Sequence, residues 1–191
     1  MTKTASQAPV RKSSALAFAL ALSLGCVTTT RVVAPESTSP LTPPTQEPVR
    51  LVLATPSGEH FDLADHRGKA VLVLAFDTDH LASQAMIRNL ERVAQRHPET
   101  LAVIAIAGDT GDAPTLRTVL DAYRTVAGLE RVTIALASDE VRNGTSPLGL
   151  IEHVPTLYFI NRAGVIVRRL EALLSEQQIE TLIAPALPGG H

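Results

Sequence analysis

Asp77, Asp79, His80 and Ser83 stand within seven residues of one another, directly after an uncharged apolar run. Carboxylate, imidazole and hydroxyl are the groups of an acyl-transfer triad, with serine as nucleophile and imidazole as its base. If the segment is helical, Ser83 follows His80 by one turn, but no nearby residue marks an oxyanion hole. Imidazole and carboxylate also bind zinc or copper, although Asp-x-Asp-His on a loop is not a ligand pattern of either metal. A plainer reading is that Asp79 caps a helix and Asp77 favours its positive end, with the histidine in solvent. The strongest nucleophile, Cys26, is the sole cysteine, which excludes an internal disulfide. His60, His66 and His97 fall at expected edges and turns and read as surface residues. Asn143-Gly144-Thr145 has the form of a glycosylation sequon but reads as an Asn-Gly turn.

These groups need elements to position them. Residues 71–76 are continuously apolar, as in a central strand covered on both faces, and 101–107 and 132–136 have the same character. Segments 50–54 and 60–63 flank Pro56-Ser57-Gly58 and predict a hairpin. Segments 156–160 and 165–167, joined by Asn161-Arg162-Ala163-Gly164, predict a second. Met86, Leu90, Val93 and His97 step by four, three and four, predicting a helix over 83–96 that Pro98 stops. Leu116, Val119, Leu120, Tyr123 and Val126 repeat the pattern between Pro114 and Gly128. Leu173, Ile179, Leu182 and Ile183 mark a last helix, with Ser175 as its N-cap. The order predicts an α/β fold: a central mixed β-sheet, parallel at its core, with helices on both faces. An N-terminal β-hairpin extends it, and the closing hairpin adds antiparallel strands at one side.

The stretch His66-Arg67-Gly68-Lys69-Ala70-Val71-Leu72-Val73-Leu74-Ala75-Phe76 resembles the opening of TlpA/ResA-type thioredoxins and redoxins. His153-Val154-Pro155-Thr156-Leu157-Tyr158-Phe159-Ile160-Asn161-Arg162-Ala163-Gly164 resembles their proline-bearing strand and turn. With residues 51–63, which also fit, the resemblance covers about residues 50–187 in the right order and spacing. It implies a thioredoxin-like fold with Pro155 as a cis-proline facing the strand–helix junction. In that family a WCxxC motif follows the central strand and opens the first long helix, whose N-terminus favours a thiolate. Gln84-Ala85-Met86 and Leu90-Glu91 align without a gap. They place Asp79 at the tryptophan, His80 at the first cysteine and Ser83 at the second. A peroxiredoxin-type alignment puts Leu81 at the nucleophile. Neither alignment supplies sulfur, and a serine or imidazole cannot cycle between dithiol and disulfide.

The resemblance also implies what such a site retains. In the family, the backbone of the residue before the cis-proline, here Val154, pairs with an extended stretch of the bound partner, and this needs no cysteine. Asp79, His80, Val154 and Pro155 are therefore candidates for a peptide-binding groove. The same juxtaposition makes Asp77, Asp79, His80 and His153 a candidate metal set. One expectation is a pseudoenzyme: a membrane-tethered domain without redox cysteines or cofactor that binds or scaffolds an envelope protein or peptide. The alternative is a redoxin-derived enzyme with altered, metal-assisted chemistry.

A chain of 191 residues suits one domain. Beyond residue 25 it carries 14 basic and 19 acidic residues, and the whole chain has no Trp, two Tyr and four Phe. An acidic surface with little to stack bases on argues against nucleic acid as a partner. Arg11 and Lys12 precede an uncharged run over 13–25, the pattern of a secretory signal. That run is shorter than the ~20 apolar residues a bilayer span needs. Leu22-Ser23-Leu24-Gly25-Cys26 resembles the bacterial lipobox, so 1–25 is expected to be a lipoprotein signal peptide and Cys26 the lipid attachment point. Residues 26–48, rich in Thr and Pro, are expected to be a linker, and 49–188 the thioredoxin-like domain. The expected location is the bacterial cell envelope, lipid-anchored with the domain on the extracytoplasmic side.

Overall fold

A computed structural model describes residues 47–187. The expected signal peptide, Cys26 as the expected lipid attachment point and nearly all of the expected linker lie outside the described residues. The strands are β1 (Val52–Ala54), β2 (His60–Asp62), β3 (Ala70–Phe76), β4 (Leu101–Ala107), β5 (Val132–Leu136), β6 (Thr156–Ile160) and β7 (Ile166–Leu170). The helices are α1 (Leu81–Arg96), α2 (Ala113–Ala127), α3 (Asp139–Arg142) and α4 (Glu176–Ile183).

The five-stranded sheet runs β5-β4-β3-β6-β7, with the all-apolar β3 in the middle and every one of its residues buried. β3, β4 and β5 are parallel, whereas β6 and β7 join antiparallel at the other side. The alternation of β3 divides the core. Leu72, Leu74 and Phe76 pack with Met86, Leu90, Leu120, Ile179 and Ile183, so α1, α2 and α4 share one face. Val71 and Val73 pack with Leu53, Phe61, Leu63, Val141 and Leu148, so the β1–β2 hairpin and α3 cover the other. Helices thus stand on both faces, but unevenly. Parallel crossovers are right-handed, and two successive steps in one direction, β3 to β4 to β5, put both long helices on the same side.

The ends of the elements follow local chemistry. Ser175 accepts from the Gln178 N–H while the Gln178 side chain returns to the Ser175 N–H, a complete capping box for α4. Arg92 and Arg96 pair with Glu176, and Arg96 and His97 with Glu180, joining α4 to α1 through exposed ion pairs of modest individual value. Glu91, also on α1, is buried (5% exposed) and accepts from the backbone N–H groups of Glu130, Arg131 and Val132 at the entry to β5.

Several boundaries differ from expectation, and one short helix is added. α1 starts at Leu81 rather than Ser83, and its N-cap is His80, which makes no side-chain capping bond, so Asp79 is not the cap. β7 begins after Val165, whose carbonyl closes the turn by accepting from the Asn161 N–H, and continues to Leu170. α3 is a single turn capped by Ser138, too short to show a period in the sequence. No described helix is long and apolar enough to cross a membrane.

Candidate functional site

The site lies where β3 ends and α1 begins, beside the end of β4. The C-terminal ends of parallel strands open here, the usual place for a site in such sheets. His80 Nδ1 stands 3.2 Å from Ser83 Oγ, and that oxygen also accepts from the Asp77 N–H at 3.5 Å. Ser83 is fully buried and His80 exposed. The hydroxyl therefore ties the loop to the helix and is not presented to solvent as a nucleophile. The pair expected to replace the two cysteines is in direct contact, one residue facing solvent and the other inside.

The loop between is pinned from both sides. Asp109 accepts from the Thr78 N–H at 3.3 Å and from Thr78 Oγ1 at 2.5 Å, and Gln84 donates its side-chain amide to the Thr78 carbonyl at 2.8 Å. Gly108 donates its N–H to the Phe76 carbonyl at 2.8 Å. A Cβ at position 108 would fall 2.6 Å from Asp77 Oδ1, so glycine makes room for that carboxylate. Thr78, Gln84, Gly108 and Asp109 were not among the sequence candidates. A Gly-Asp pair immediately after an apolar strand was the available signal.

Burial, and then the charges of Asp109 and Asp79, push the Asp77 carboxyl above its ordinary range, with His80 opposing. A group whose folded value is raised adds stability below the ordinary carboxylate range and loses it as pH climbs through the raised value. Asp77→Asn should therefore melt about 2 °C above the parent at pH 7, a small shift for a partly solvated group. The difference should vanish near pH 3, and differential scanning calorimetry at the two pH values checks it.

The Val154–Pro155 bond is cis. Pro155 is buried, Val154 half-buried and His153 exposed, and Thr156 Oγ1 donates to the His153 carbonyl at 2.6 Å. The register pairs Ala75 with Thr156, so this segment continues alongside the end of β3. Asp77, His153 and Val154 line one cleft of about 380 Å³, whereas Asp79, His80 and Pro155 are not among its lining residues. The candidate metal set is not assembled. Among the described residues no three His, Cys, Asp or Glu side chains gather where they could hold a metal. His80 is turned to Ser83 instead, and His153 stands exposed on the loop before Pro155.

No protein-family model matches the chain, and no curated protein matches it. Solved structures do. A thioredoxin-family thiol:disulfide interchange protein from Chlorobium tepidum superposes with a TM-score of 0.60 at 21% identity, covering 78% of this chain and 99% of that one. A secreted disulfide oxidoreductase from Mycobacterium tuberculosis gives 0.56 at 20% identity, covering 70% and 94%. The fold is thioredoxin-like. An exposed lipoprotein thioredoxin from Streptococcus pneumoniae superposes similarly, with a TM-score of 0.56 at 14% identity, covering 70% and 97%. This thioredoxin-like domain contains no CxxC motif, because its chain has one cysteine, at position 26.

Proposed function

We propose that this chain is a non-catalytic thioredoxin-like protein, lipid-anchored in the bacterial envelope through Cys26, that binds an extended segment of an envelope protein at the strand–helix junction. The observation that carries the reading is the His80–Ser83 contact. Where the resemblance puts a cysteine pair, a hydrogen-bonded imidazole and hydroxyl close the helix start without any group able to exchange disulfides. The backbone beside Pro155 keeps its place along the same junction, and main-chain pairing there needs no particular side chain. The basic n-region, apolar run and lipobox-like Cys26 support the anchor, as does the likeness to a structure named an exposed lipoprotein thioredoxin.

Photo-crosslinking from the full chain in bacterial cells tests the proposal. A photoreactive residue at His153 or at the exposed Leu81 (78% exposed) should yield the same discrete adduct. One at Val126 on α2 (89% exposed) should not. Adducts independent of position, or none from His153 and Leu81, would contradict the binding role.

A further inference from the structure

The cleft beside Val154 has a defined chemistry. Ala75, Ile106, Ala137, Val141, Ile151 and Val154 give it an apolar lining, and its volume of about 380 Å³ suits one large side chain. A polar side chain placed there would lose water without gaining partners, whereas an apolar one buries surface. Its rim is mostly acidic. Asp77 and Glu152 line the cleft, and Asp109 and Asp79 add negative charge at Asp77. Among the described residues none of these four takes part in an ion pair. The opposing groups are Arg142, which is paired with Asp139 at 3.5 Å, the exposed imidazole of His153, and His80, which acts on Asp77 from outside the cleft.

We propose that this cleft anchors an aliphatic or aromatic side chain of the bound peptide, and that the acidic rim selects a partner with lysine or arginine next to the anchor. The inference rests on the peptide-binding reading above and names the class of peptide. The charge around Asp77 favours a cation over an acidic or uncharged neighbour. Burial, and then the charges of Asp109 and Asp79, raise the Asp77 carboxyl, and an incoming ammonium or guanidinium relieves the part that is repulsion between carboxylates. Charge complementarity of this kind also sets specificity more than affinity, so it discriminates among peptides of one shape.

The test uses the full chain in detergent and three fluorescent decapeptides of Ser and Thr, whose central pair is Leu-Lys, Leu-Glu or Ser-Lys. The Leu-Lys peptide should bind about tenfold more tightly than either other, with the advantage over Leu-Glu shrinking as salt rises. Asp77→Asn/Glu152→Gln should remove the lysine preference and keep the leucine preference. Ala137→Leu, which fills the cleft, should do the reverse. Equal affinity for all three peptides on the unmodified chain would overturn the inference and leave peptide binding standing. Binding of none would overturn the inference together with the reading beneath it. The salt series on the unmodified chain decides the charge claim even if a variant fails to fold.

Discussion

The double variant His80→Cys/Ser83→Cys is expected to gain thiol–disulfide exchange, reducing a model disulfide with dithiothreitol at least about tenfold faster than the parent. The two positions already touch, with 3.2 Å between His80 Nδ1 and Ser83 Oγ, and they occupy the N-cap and third residue of α1. Their exposure is also suited to the task, since position 80 is open to attack and position 83 is buried. Unpaired N–H groups at the helix start stabilise a thiolate there. The carboxylates of Asp77, Asp79 and Asp109 oppose it, so adding Asp79→Asn should raise the rate again. A folded double variant that stays inert would mean that the scaffold has lost more than its sulfur.

Glu91→Ala is expected to be the most damaging single substitution outside the apolar core. Its carboxylate accepts from three consecutive backbone N–H groups, those of Glu130, Arg131 and Val132, at 2.9–3.2 Å. Removing it leaves the buried Val132 N–H and the part-buried Glu130 and Arg131 N–H groups without this acceptor, at roughly 1–3 kcal/mol for each donor that water does not reach. A total loss of about 3–5 kcal/mol is a large share of the ~5–15 kcal/mol that holds a domain folded. Glu91→Gln keeps one acceptor oxygen and should lose about 1–2 kcal/mol. Urea unfolding of the two variants beside the parent measures both. A Glu91→Ala loss below about 1 kcal/mol would show that water takes over the three donors.

How much of this was legible in the sequence depends on the range of each interaction. The apolar run of β3, the four-three-four spacing in α1, the Asn161–Gly164 turn and the Ser175 cap are local signals, and each produced its element. β7 ran past its expected end because Arg168 and Arg169 interrupt the apolar pattern. On an edge strand that is no obstacle, and Arg169 lies over the Tyr158 ring at 5.6 Å. Glu91 reads as an ordinary surface charge on a helix until β5 is placed beside it. The junction divides in the same way. His80 and Ser83 are helical neighbours and could be paired from spacing alone. The Thr78–Asp109 bonds join residues 31 apart, and they exist only because β3 and β4 end side by side. The expected metal set depends on the same long-range placement. Sequence placed His80 and His153 near one junction, but side-chain direction decides ligation, and His80 is turned to Ser83.

Dithiothreitol-driven reduction of a model disulfide by the unmodified full chain is the most direct test of a junction proposed to bind without exchanging disulfides. The predicted rate equals that of buffer without protein, and Cys26→Ser leaves it unchanged. Reduction clearly above the protein-free rate, retained in Cys26→Ser, would contradict that proposal.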